Sequence, residues 1–309
     1  MKNRKKPILF VAFFFLVVII CIVIMIAYYG FPRFFEVEGT KGKPGLAFTK
    51  TLILMGEEMM KAWLPNDMLY PTILLDNPQN FQLGELEALR YAVRVLRDNL
   101  SRLRTTDKID ENIDKVYILF SNDPHKWIFP SAESKYRAGV RELKTYHDRL
   151  EKGDANFFPR ADNLIELLSQ LNSLLGGVNT RLGNAPRDQR EILTEETAGD
   201  PYTEGERFVT IRVPWTALDD NFYYARGVAY GIRQILVAVR YDFKEILEIK
   251  KATELLDKII KLLNQSQFEP ILILNGSRGS VWANHSLQLL ATLGDVRQKV
   301  SSLENMLRE

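Results

Sequence analysis

Cysteine is almost missing from this chain. Of 309 residues one is a cysteine, Cys21, and it sits in the most apolar stretch. The remainder therefore has no disulfide, no thiolate nucleophile and no cysteine-ligated metal. Histidine is nearly as scarce. His125, His147 and His285 are the three present, and no HxxxH or HExxH spacing joins them. A histidine-built zinc site is not expected, and no cofactor is implied. Charge is missing altogether from Ile8 to Tyr29. At about 1.5 Å per helical residue that run is roughly 33 Å long, enough to cross a hydrocarbon core of about 30 Å. Lys2, Arg4, Lys5 and Lys6 precede it with no acid among them; Tyr28, Tyr29, Phe31, Phe34 and Phe35 crowd its far end. A basic flank and an aromatic belt together predict a cytoplasmic N-terminus with the rest of the chain outside. A cleaved signal peptide would share that flank. Its apolar core is shorter, however, and no small-x-small pair stands where cleavage would fall, since Ala27 is followed by two tyrosines. The expectation is a tail at 1–7 and an uncleaved single-pass anchor at 8–29.

A surplus of either charge is lacking too. The formal net charge is +2, but the tail carries four of the basic residues, leaving 37 Lys and Arg against 39 Asp and Glu. A near-neutral domain lacks the concentrated positive field that nucleic acid binding requires. About 280 residues with ordinary apolar content suffice for a packed core without disulfide staples.

Residues 30–45 hold Pro32, Gly39, Gly42, Pro44 and Gly45, and read as a linker to a helical domain at 46–309. Leu46 to Leu64 reads as a buried helix. Asn66 to Phe81, with Pro71 and Pro78, reads as a loop. Leu83 to Arg104 repeats leucine and valine every three or four residues, the seam of a packed helix. Asp110 to Phe120 fits a short helix or strand. Ser131 opens a helix that Gly153 stops, and Pro159 to Leu182 forms another, with Gly176-Gly177 as a weak point. Asn184 to Glu206 reads as an exposed loop, and Arg207 to Val213 alternates like a strand. Proline is absent from Ala217 to Asn264, where apolar spacing predicts one very long helix. Gly227 and Gly231, four apart on one face, predict close helix approach. A final helix runs from Trp282 to Leu307, its seam pairing inside the bundle or with a second copy. The fold class is all-α: an N-terminal transmembrane helix, then an elongated antiparallel bundle with at most a minor strand.

Candidate chemistry is sparse. Asp219, Tyr223 and Arg226 share a helix face, with Asp220 beside them. They read either as a cap plus a buried polar network, or as a general base with an anion-binding arginine. Adjacent aspartates point about 100° apart on a helix, which weakens a paired-carboxylate mechanism. Asn275, Ser277, Asn284 and His285 belong to a glycine-rich loop feeding a helix, a turn or a ligand-binding loop. It has neither phosphate-loop spacing nor a GxSxG elbow. Arg160 and Asp162, opening a helix after Phe157-Phe158-Pro159, read as structural. Arg90, Arg94, Arg97 and Arg104 flank the first heptad seam, as a solvated face or as a surface for an acidic partner or lipid headgroups.

Four stretches carry a resemblance: Pro130–Leu150, FFPRADNL at Phe157–Leu164, VPWTALDDNFYYARGVAYGI at Val213–Ile232, and ILNGSRGSVWANHSL at Ile273–Leu287. In that order they resemble the recurrent stretches of a bacterial family of unknown function, numbered 2333. The resemblance implies one N-terminal span, a helical remainder and a place in a Gram-negative envelope. It brings no catalytic residue, and Asn184–Glu206 falls outside it. The expected role is a non-enzymatic scaffold or protein-interaction module on the periplasmic side of the inner membrane, with an envelope protein as partner. The alternative is a ligand binder or hydrolase acting on an envelope lipid or peptidoglycan component.

Overall fold

Ten α-helices form among the residues that the structure, a computed structural model, describes: 5–37, 43–104, 106–184, 190–191, 208–209, 216–270, 273 and 284–309. They are α1 (Lys5–Tyr28), α2 (Leu46–Met59), α3 (Asp76–Val95), α4 (Glu111–Phe120), α5 (Ala132–Lys152), α6 (Ala161–Asn184), α7 (Thr216–Asp242), α8 (Lys244–Ile249), α9 (Thr253–Gln265) and α10 (His285–Arg308). Helix makes up 74% of the protein, so the fold is all-α. The β-pairing among the described residues is one antiparallel two-residue contact, Arg190–Glu191 with Phe208–Val209. The rest of the Arg207–Val213 stretch lies outside the described residues.

Several helix ends follow directly from local chemistry. The Ser131 hydroxyl accepts from the Ser134 N–H, and Gly153 takes a left-handed φ of 89° to close α5. Asp110 accepts from Asn112 and Ile113 and starts α4. Other ends depart from expectation. α3 begins at Asp76, seven residues before Leu83, with Pro78 buried in its first turn, where a missing N–H removes no helical bond. α6 passes straight through Gly176-Gly177, with the Arg297 guanidinium packed over Gly176.

The long helix expected from Ala217 to Asn264 is three helices. α7 stops at Asp242, and a second break separates α8 from α9. There the Ala252 N–H bonds the Leu247 carbonyl and the Lys251 N–H bonds the Glu248 carbonyl. This is the closure that glycine makes after α5, here made by Lys251 at φ 54°. The apolar spacing continues across both breaks because each piece has its own buried side: Phe243 and Leu247 are buried, while Ile249 is 72% exposed. A β-carbon in left-handed geometry costs about 1 kcal/mol. Lys251→Gly is therefore expected to raise stability by about that amount, measured as a shift in urea midpoint at constant m-value.

Chain neighbours pack antiparallel, as α4 does on α5 and α9 on α7. Arg240–Asp257, Arg233–Asn264 and Arg226–Gln267 mark the second of these pairings. The α10 seam, Leu289 through Leu307, is buried within the chain against α6 and α9. The most intimate pair is α3 with α7, distant in sequence and running in the same direction. Asn80 meets Asp220, Gly84 meets Tyr224, and Ala88 meets Gly231. A β-carbon on Gly84 would lie 2.1 Å from the Tyr224 carbonyl oxygen; one on Gly227 would lie 1.9 Å from that of Phe81. The two backbones touch there, as the Gly227/Gly231 spacing predicted, and Gly84 is the unforeseen partner.

Candidate functional site at the exit of α1

The segment following α1 does not hang free as a linker. Residues Phe31 to Glu36 run in extended form along α7. The Phe31 ring stacks on Tyr223, centroids 5.4 Å apart and 5° from parallel; Phe34 stacks on Tyr230 at 5.6 Å and 7°. The Arg226 guanidinium lies 4.6 Å from the Phe31 ring and that of Arg233 4.3 Å from Phe34. Backbone bonds fasten the same run: the Tyr230 hydroxyl donates to the Arg33 carbonyl at 3.1 Å and Gln234 to that of Phe35 at 3.2 Å. The register has a simple cause. Three extended residues advance roughly 10 Å, and seven helical residues advance about 10.5 Å. Phe31 and Phe34 therefore match Tyr223 and Tyr230, with Arg226 and Arg233 repeating at the same interval.

Arg226 is the most constrained group in this site. Its side chain is 4% exposed, and among the described residues its Nε and Nη1 have no hydrogen-bond partner. Nη2 reaches the Gln267 carbonyl at 3.4 Å and Glu269 at 3.8 Å. The rings of Phe31, Tyr223 and Phe81 surround it. Burial lowers its pKa and raises that of the Tyr223 phenol. The charge is held by ring faces more than by carboxylates, each contact worth about 2 kcal/mol when desolvated.

Asp219 and Asp220 lie apart from that arginine cage. They face the N-terminal end of α3, where Asn80 donates to Asp220 at 2.7 Å. Burial, then the charges of Asp219 and Asp76, push Asp220 up to about 6; burial also raises Asp219. The expected face of Asp219, Tyr223 and Arg226 thus divides into an acidic mouth and an aromatic–arginine cage. No group of three His, Cys, Asp or Glu that could hold a metal occurs among the described residues.

A cavity of about 240 Å³ opens beside the end of α1. Its walls include Phe31, Pro32, Met59 and Phe81, and one polar lining group is Glu85. Glu85 is 1% exposed, and among the described residues its Oε1 has no hydrogen-bond partner. Burial, then the nearby Glu58, raise its pKa well above the carboxylate range. The sign of the linkage follows. As pH rises above the ordinary value of 4.5, the unfolded chain releases this proton and the folded chain keeps it, so stability falls. Glu85→Gln is expected to raise the melting temperature at pH 7, with the gain gone at pH 4. A second cavity, about 570 Å³, is lined by Asp110, Asn112, Lys115 and Arg149 among others. Asp110, Asn112 and Arg149 are hydrogen-bonded to one another there. Neither cavity is lined by Asp219, Asp220, Arg226 or His285.

The other candidates are placed individually. Arg160 pairs with Asp162 at 2.8 Å at the start of α6. Asn284 caps α10 by accepting from the Leu287 N–H, and His285 sits 6.4 Å from Phe268, which packs on Phe222. Asn275 and Ser277 lie outside the described residues. Arg90 donates to the Phe120 and Asn122 carbonyls, closing the end of α4. Arg97 pairs with Asp114 and lies over Tyr117. Arg94 and Arg104 are exposed. The arginine row is therefore not one continuous cationic surface.

Two contributors escaped sequence reading. Phe34 looked like membrane-belt aromatic, and its match to Tyr230 becomes visible only when extended and helical rises are compared. Glu85 sits on the apolar side of α3, an interruption of the seam that signals a buried acid. No curated protein and no solved structure matches the chain. A family model described as "uncharacterized protein conserved in bacteria (DUF2333)" matches residues 2–309. Covered from Lys2 to its last residue, the chain belongs to that family.

Proposed function

We propose that α1 anchors this protein in the bacterial inner membrane, N-terminus in the cytoplasm, with the helical domain in the periplasm as a non-enzymatic scaffold for another envelope protein. α1 contains one stretch, Phe10–Tyr28, long and apolar enough to cross a membrane, with no residue of it fully buried. The observation that carries the reading is the registered packing of Phe31 and Phe34 on α7. A tether needs only length. A segment bonded along a core helix sets the height and direction of the domain relative to the span, as a scaffold presenting a surface requires. The candidate catalytic groups support the same reading, since Arg226 is enclosed by rings and Asp220 is bonded to Asn80. The test has two parts. A C-terminal alkaline phosphatase fusion should be active and a C-terminal fluorescent-protein fusion dark. Photo-crosslinkers placed at Arg94 and Arg104 should trap one reproducible envelope protein. The opposite reporter pattern contradicts the topology; a co-purifying lipid or glycan with no protein partner contradicts the scaffold role.

A further inference from the structure

Large apolar side chains left exposed beyond the α1 exit are not scattered. Eight of the eleven among the described residues fall in two loops: Met68, Leu69, Tyr70, Ile73 and Leu74 in one, Trp127, Ile128 and Phe129 in the other. The remaining three, Leu103, Ile118 and Ile249, stand apart in sequence. No charged residue lies between 68 and 75 or between 127 and 130. A soluble surface has no reason to concentrate its apolar groups in this way.

The two loops form one feature. The Trp63 indole donates to the Pro124 carbonyl at 3.1 Å, and Asn66 donates to the Lys126 carbonyl at 3.0 Å and to Glu133 at 2.9 Å. The His125 ring bonds the Pro65 carbonyl at 2.9 Å. These bonds fix the loop bases side by side, one to five residues before each apolar run. Asn66 and Pro65 are buried at that junction, while Phe129 is 92% exposed. The hydrogen-bonded base and exposed tips describe an apolar projection.

Its position identifies what covers it. The 3-10 turn Thr72–Leu74 of the first loop lies against α1. On α1, Val18, Cys21, Ile24 and Met25 are partly covered, while Ile20, Ile22, Val23 and Ile26 are exposed. The covered four fall within about 120° of the helix circumference, one side of it. The projection therefore stands alongside the apolar helix and not at the opposite end of the domain.

We propose that the two loop tips form a second membrane contact, dipping into the headgroup and upper acyl region of the leaflet from which α1 emerges. The inference rests on the reading of α1 as a membrane span. Tyr70 and Trp127 have the amphipathic rings that favour the interface, and Leu69, Ile128 and Phe129 supply uncharged area below them. One helix leaves a domain free to tilt and to rotate about the span. A second contact point on the same surface removes that freedom, extending the constraint that the Phe31–Phe34 packing begins.

Site-directed spin labelling of the full-length chain tests this. Cys21→Ser removes the native thiol, and Leu69→Cys or Phe129→Cys then carries a nitroxide in phosphatidylethanolamine–phosphatidylglycerol vesicles. Ile20→Cys serves as the lipid reference and Ile249→Cys as the aqueous one, with each variant checked for an unchanged melting temperature. Labels at 69 and 129 should collide with dissolved oxygen far more than with a water-soluble nickel chelate, as the label at 20 does. If they instead behave like the label at 249 while the label at 20 stays lipid-like, the loops lie in water and the proposal is wrong. Low collision with both reagents would place them against protein, a second copy or a partner, and also overturn it. Nickel access at 20 itself would remove the anchor reading and the inference with it.

Discussion

Gly227→Ala is expected to destabilise the domain by about 3 kcal/mol, with loss of the native fold at moderate temperature. The sign is the reverse of the ordinary rule. In a helix interior the same change normally gains up to about 1 kcal/mol through helix propensity. Here the new β-carbon would stand 1.9 Å from the Phe81 carbonyl oxygen, within 2.8 Å of its carbon and 3.0 Å from the Glu85 nitrogen. All three obstacles are backbone, so no rotamer change relieves the clash. α3 and α7 must separate by more than an ångström, and that motion also undoes the contacts at Gly84 and Gly231. Gly177→Ala in α6 is the control, because nothing lies within 4 Å of its β-carbon position. It should gain up to about 1 kcal/mol. Chemical denaturation of both variants measures the contrast. Similar midpoints would contradict the backbone contact between α3 and α7.

Asp242→Ala is the second large effect, an expected loss of about 3 kcal/mol. Asp242 ends α7 and turns toward the start of α2, where it accepts the Phe48 N–H at 2.7 Å and faces the N–H groups of Gly45 and Ala47. Gly45, the residue before α2, has no side chain to do this. Losing a helix cap costs up to about 2 kcal/mol, and each buried N–H left without an acceptor adds about 1–3 kcal/mol. Asp242→Asn keeps an acceptor and should lose less. The pH dependence separates the two forms of loss. Burial outweighs the pull of the Phe48, Gly45 and Ala47 N–H groups and pushes Asp242 up to about 6, from an ordinary value of 3.8. Between those values the folded chain holds a proton that the unfolded chain releases, so the wild type loses stability as pH rises through the window. The asparagine variant lacks that dependence. Its deficit should shrink from pH 4 to pH 6, whereas a deficit that grows would show the carboxylate to be favoured by the fold.

What was legible in the sequence was whatever depends on nearby residues. Ser131 and Gly153 bounded α5 because a hydroxyl and a left-handed glycine act within one turn of where they sit. Lys251 performs the glycine's task with a side chain that gives no sign of it, so the break before α9 was invisible. Pro78 misled in the other direction, as a breaker that the first helical turn accepts. Gly227 and Gly231 announced a close approach, but the opposing Gly84 belongs to a helix far away in the chain. The site shows the same limit more sharply. Asp219, Tyr223 and Arg226 were placed on one face by spacing alone. The packed elements assign them separately, the acid to the N-terminal end of α3, where the charge of Asp76 adds to burial in raising its pKa, the tyrosine and arginine to Phe31. Asp242 escaped notice because its partner Phe48 is 194 residues away. The packing of the linker's first residues was not legible because glycine and proline content marks the absence of helix and says nothing of contacts. Phe31 to Glu36 is irregular by secondary structure and ordered by its contacts.

Crosslinking within the span-exit segment most directly tests whether α1 is coupled to the domain in a fixed register. Cys21 is the one cysteine in the sequence, so in a Cys21→Ser background paired cysteines can be placed without interference. In native membranes, a short bis-maleimide should join the matched pairs Phe31→Cys with Tyr223→Cys and Phe34→Cys with Tyr230→Cys. The mismatched pair Phe34→Cys with Tyr223→Cys, about 10 Å out of step, should stay unlinked. Equal linkage of matched and mismatched pairs would show a sliding tether, and no linkage of the matched pairs would show a free one; either result contradicts a domain fixed to α1.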